Sequence, residues 1–108
     1  MAQSLFIIDL TYTSSLDELD DAMAAHLKFL DHHFDKSHFV TSGRKVPRTG
    51  GIIIAVAKNK AEVEEWMKDD PFYKLKLSVF TITEFLTSKT NPPFRKYLDY
   101  LSADKSRL

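Results

Sequence analysis

The stretch HFVTSGRKVPRTGGIIIAVA, residues 38–57, decides the fold. It opens with a run that favours extended backbone, HFVTSGRKV (38–46), meets turn signals from Pro47 to Gly51, and resumes as GIIIAVA (51–57). Two strands therefore follow one another with no helix between them. The second is nearly all apolar, which predicts a central strand covered on both faces.

Upstream, SLFIIDLTY (4–12) sets Leu5, Ile7 and Asp9 against Phe6, Ile8, Leu10 and Tyr12, the alternation of a strand. Ser15 and Glu18 have capping-box spacing with Asp17 in the first turn, so a helix begins there. Leu16, Leu19, Met23, Leu27, Leu30 and Phe34 then recur at steps of three and four and predict one apolar stripe. Downstream, Asn59 and Glu62 mark a second helix start, and Val63, Trp66 and Met67 share a face. Pro71 disfavours helical geometry at Asp70, a short helical turn is expected within 72–77, and SVFTITEFL (78–86) predicts a fourth strand, with Val79, Thr81, Thr83 and Phe85 opposed to Phe80, Ile82, Glu84 and Leu86.

The resulting order, βαββαβ, predicts an α+β ferredoxin-like fold: a four-stranded antiparallel sheet with two helices on one face. Several strands carry apolar side chains on both faces, so the uncovered face is expected to meet a second copy of the chain in a homodimer. We expect this domain to occupy residues 1–88 and a C-terminal extension 89–108. In the tail, TSKTNPP (87–93) is turn-forming, and FRKYLDYL (94–101) predicts a short amphipathic helix with Phe94, Tyr97, Leu98 and Leu101 on one side. That helix should dock on its own or the partner subunit, and SADKSRL (102–108) should fray.

Composition sets bounds on partners. The 108 residues hold 15 Lys plus Arg against 15 Asp plus Glu, so no net charge argues for nucleic acid or an anionic membrane as partner. No cysteine occurs, which removes disulfides and thiolate chemistry. The N-terminal apolar run lacks a basic region before it and IIIAVA is far below spanning length, so a cytoplasmic protein without membrane segments is expected.

Among chemistry-bearing residues, His26 falls on or beside the core-facing stripe of the first helix, where it is either a satisfied core histidine or a working acid or base. Asp70 either opens a turn through its side-chain oxygen or serves chemistry. It also raises a question, because KDDPFYK (68–74) puts two carboxylates at a helix C-terminus, where the macrodipole disfavours them. A metal reading of His26, His32, His33 and His38 fails on spacing, since His26 and His33 lie about 10 Å apart along the helix. His32 and His33 read instead as a solvated helix end, and Asp9 as a pocket acid or a strand-edge polar residue.

His26 in AHLKFL, Ser42-Gly43 in TSGRK, and Asp70-Pro71-Phe72 ahead of the ITEF strand (82–85) together resemble the YCII-related (YciI-like) family over about residues 5–86. The resemblance implies a dimeric α/β barrel whose pocket holds His26 and Asp70 as an acid/base pair. It also implies lyase chemistry of the kind a few members perform, including dehydrochlorination of chlorinated hydroxyquinones, on a fold similar to muconolactone isomerase. Two features depart from the family pattern: Met23 stands where many relatives have arginine, and Lys74-Leu75-Lys76 where many have a small residue and glycine.

The pairing would also answer the question about Asp70. An imidazolium beside it would offset its placement, and the carboxylate would fix the tautomer of the ring. Such a pair can remove a proton next to a carbonyl and return one elsewhere, as elimination or isomerisation requires. Ser42 and Gly43 are expected to contact substrate, Phe72 to line the site, and Arg44 either to hold a carboxylate or phenolate or to be a solvated strand-end charge. The expected function is a small-molecule lyase or isomerase working without cofactor or metal. The alternative is a non-catalytic ligand-binding or accessory protein on the same dimer.

Overall fold

The computed structural model describes residues 4–102. Four strands, β1 (Ser4–Tyr12), β2 (Phe39–Arg44), β3 (Gly50–Ala55) and β4 (Ser78–Leu86), form one sheet in the order β2-β3-β1-β4. Every neighbouring pair is antiparallel. Helix α1 (Leu16–Asp35) follows β1, and α2 (Lys60–Met67) and the single turn α3 (Pro71–Lys74) link β3 to β4. This is the expected ferredoxin-like α+β arrangement.

The helix starts follow from their caps. Ser15 accepts from Glu18 N–H at 3.2 Å and Asn59 accepts from Glu62 N–H at 2.9 Å, so donors left orphaned by each first turn are satisfied locally. The register pairs Phe6 with Ala55, Ile8 with Ile53 and Ile82, and Leu10 with Phe80. One sheet face therefore carries Phe6, Ile8, Leu10, Ile53 and Ala55 into a core completed by Phe29 of α1 and by Val63 and Met67 of α2. A second cluster joins Leu19 and Ala22 of α1 to Phe72 and Leu77. It clamps α3 against α1.

Three expectations are corrected. The buried residues of α1 are Leu19, Ala22, Phe29 and His33, whereas Leu16, Leu27 and Phe34 stay exposed. The stripe is rotated: Leu27 is exposed at a cavity, which Met23 and Leu30 also line while packing against the core clusters. β3 is central, but a single chain covers only one of its faces closely, since Ile52 and Ile54 remain partly exposed on the other. In the tail, α4 (Pro92–Ser102) buries Leu98 and Leu101 while Phe94 and Tyr97 stay substantially exposed, so the docking side is narrower than the sequence suggests. The fraying expected after Ser102 concerns residues 103–108, which lie outside the described residues. Among the described residues, no helix is long and apolar enough to cross a membrane.

Candidate active site

Asp70 sits where α2 has ended and α3 begins. Its Oδ1 accepts from Phe72 N–H at 3.0 Å, making it the N-cap of α3, with Pro71 in the first helical position. The same oxygen lies 2.8 Å from His26 Nδ1. Turn-former and imidazole partner are thus one role and not alternatives. The carboxylate that would be misplaced at the end of α2 is instead at the start of α3 and beside a ring that can carry positive charge.

Asp70 is fully buried and its Oδ2 finds no partner among the described residues. Of the groups bonded to this carboxylate, only His26 can become cationic, and an imidazolium there would meet a carboxylate already held in place. Because a carboxylate oxygen accepts, Nδ1 is a ring nitrogen that bears hydrogen, and in the neutral ring the lone pair is on Nε2. Phe72 stacks on the imidazole with centroids 4.0 Å apart and planes within 3°, and Phe29 lies on the ring at 6.3 Å. Ring position and tilt are therefore fixed by packing as well as by the hydrogen bond.

His26 is 12% exposed, and that exposure opens onto a cavity of about 470 Å³. Its walls are apolar where Leu10, Met23, Leu27, Leu30 and Ile53 meet it, and polar where Tyr12, Ser42, Arg44 and the Asp20–Arg48 pair do. The size suits a small organic ligand. Arg48 donates to Asp20 at 2.6 Å, and this pairing, with Tyr12 nearby, favours the charged guanidinium.

The expected site residues come together here. Ser42, Gly43 and Arg44 line the cavity from β2. Phe72 lines it as well, but at 2% exposure it is chiefly the plate behind His26. Asp70 lies behind the imidazole and is not on the wall. Asp9 pairs with Ile52 and Thr81, which puts it on the opposite sheet face, bound to Lys45, and it is no pocket acid.

His33 overturns the expectation of a solvated helix end. It is 5% exposed, its Nδ1 lies 2.8 Å from His38 Nδ1, and His38 stacks on Trp66 with centroids 3.8 Å apart. The spacing from His26 through Phe29 to His33 repeats the buried face of α1, a signal present in the sequence. Tyr12, Asp20 and Arg48 carried no such signal, since only the tertiary fold brings the β2–β3 turn over α1. Among the described residues, no group of three or more His, Cys, Asp or Glu is arranged to hold a metal ion.

Comparison with known proteins fits this geometry. Residues 5–86 match the model of the YCII-related domain. The chain is 25% identical to 5-chloro-2-hydroxyhydroquinone dehydrochlorinase from Burkholderia phenoliruptrix AC1100, solved in complex with 2,5-dihydroxybenzoquinone, with a TM-score of 0.66 over 82% of this chain and 97% of that one. A cofactor-independent oxygenase from Streptomyces nogalater shares the fold at 17% identity, with a TM-score of 0.50 over 85% of this chain and 99% of that one. No curated protein sequence matches significantly. With the family model spanning the whole sheet and both of its main helices, the chain belongs to the YCII-related family.

Proposed function

We propose that this protein is a cofactor-independent lyase or isomerase acting on a small cyclic, carbonyl-bearing compound, with His26 as the acid/base and Asp70 as its partner. One observation supports the reading: an imidazole bonded through Nδ1 to a buried carboxylate lines an open cavity of about 470 Å³ whose wall is part apolar and part polar. In an elimination, Nε2 takes a proton from a carbon or hydroxyl next to the carbonyl. The electrons of the broken bond form the new double bond and the leaving group departs with its own pair. In an isomerisation the imidazolium returns the proton at a different atom. Asp70 stabilises the cation in both cases. The dehydrochlorination named for the similar Burkholderia enzyme is an elimination of this type. We further propose that the working unit is a homodimer joined through the open sheet face.

The test is turnover of a panel of hydroxylated, halogenated and lactone ring compounds, starting with 5-chloro-2-hydroxyhydroquinone, followed by chloride release or loss of absorbance. His26→Gln should lower the rate by about 10²- to 10⁴-fold, the usual worth of a positioned acid/base. A rate unchanged by that substitution rejects the assignment. Tight ligand binding with no turnover across the panel would favour the non-catalytic reading.

A further inference from the structure

The cavity has an uneven charge that the acid/base pair does not account for. Of its two arginines, Arg48 is committed to Asp20. Arg44 has no ion pair among the described residues, although it shares the cavity wall. Ser42, two residues earlier on the same strand and therefore on the same sheet face, also lines the cavity without a hydrogen-bond partner among the described residues. On the cavity wall Arg48 and Asp20 balance each other, while Asp70 lies behind the ring, bonded to His26 and to Phe72 N–H. One positive charge and one hydroxyl donor are left over.

We infer that the cavity takes a compact ring-bearing anion, its carboxylate or phenolate oxygen held by Arg44 and Ser42 while the ring lies against the apolar wall of Met23, Leu27 and Ile53. This rests on the proposed function for the identity of the site but not on any catalytic step. The physical reason is asymmetric. An anion meets a preformed cation with charge-assisted hydrogen bonds, whereas a neutral ring of the same shape would partly strip water from Arg44 and give nothing back. A cavity of about 470 Å³ has room for a ligand of one or two rings. Apolar lining on α1 and the sheet demands that the remainder of the ligand be largely uncharged.

Benzoate and benzamide are nearly isosteric and differ in charge, so they isolate this term. Titration of each into the full-length protein, followed by NMR shifts of the Ser42 and Gly43 amides, should show benzoate binding at least about 10-fold more tightly, as one charge-assisted bond implies. Arg44→Met should erase the difference and Arg44→Lys should keep part of it. Equal affinities in the unmodified protein, or a preference that persists in Arg44→Met, overturns the inference. His26→Gln separates the two claims: it is expected to keep the benzoate preference even if the acid/base reading fails, and loss of the preference there would assign the anion to the imidazole and not to Arg44.

Discussion

A single carboxylate carries two jobs at Asp70, and substitutions can divide them. Asparagine retains an oxygen able to accept from Phe72 N–H but removes the charge facing His26. Asp70→Asn should therefore leave stability within about 1 kcal/mol of the parent while lowering turnover. Asp70→Ala removes cap and imidazole partner together and should cost about 1 to 3 kcal/mol in urea denaturation. If the two variants unfold at the same urea concentration, the cap is not contributing and the side chain serves the imidazole alone. At this scale much was legible in the sequence. His26, Ser42 and Asp70 stand out as a set through the resemblance to the YCII-related family, and Asp before Pro announces a turn. What a linear pattern could not supply was that one oxygen serves both neighbours, because residues 26 and 70 meet only after α3 is clamped on α1. The role of Phe72 was missed for the same reason.

Between elements, the pair of His33 and His38 ties the end of α1 to the approach to β2, and Trp66 closes it from α2. An Nδ1···Nδ1 distance of 2.8 Å requires one ring to donate and the other to accept, so the contact survives only while at least one imidazole is neutral. Burial, then the neighbouring His38 and His32, push His33 down to about 4, with Asp69 opposing and Lys36 assisting. Burial likewise lowers His38, against the pull of Glu62. Both groups are depressed on folding, so their contribution is fully present above the ordinary histidine value near 6.5 and is lost as pH falls from there toward 4. The loss should be on the order of 3 kcal/mol for His33 across that window, measured as the change in urea midpoint between pH 7 and pH 4. His33→Gln should flatten that dependence, and an undiminished slope in the variant would remove the pair as its source. Strand pairing offers a second check. A Cβ at Gly50 would be driven into the Leu10 carbonyl oxygen, while one at Gly43 would meet nothing within 4 Å. Gly50→Ala should thus destabilise by about 1 to 3 kcal/mol and Gly43→Ala by well under 1 kcal/mol, both read from thermal melting. The element order was readable because caps, turns and alternation all agree. The face of α1 was misread because Leu27 looks like a core residue in a periodicity argument, yet it is exposed at a cavity, and hydrophobicity alone does not distinguish a filled space from an open one.

For the molecule as a whole, the unresolved physical demand is the sheet face away from α1 and α2. Cross-strand register places Ile7 beside Ile54 and Thr83, Leu5 beside Phe85, and Thr11 beside Val79 on that face. Leu5 is buried, but Ile7, Ile52 and Ile54 are only half-covered, and Val79 and Phe85 are 54% and 41% exposed. An aliphatic surface spread over three adjacent strands is costly in water and is self-complementary under a two-fold axis, which is the argument for a second copy as its cover. The Asp9–Lys45 pair on the same side would fix register at the rim of such an interface more than it would strengthen it. Val79 and Phe85 are the residues to change, because their exposure within one chain means that lysine at both positions leaves the core of that chain intact. The parent protein should sediment with the mass of a dimer, and Val79→Lys/Phe85→Lys with the mass of a folded monomer showing an unchanged circular dichroism spectrum. Retention of the dimer by the double variant would move the interface elsewhere, and a parent protein that is monomeric at micromolar concentration would show that the face tolerates water.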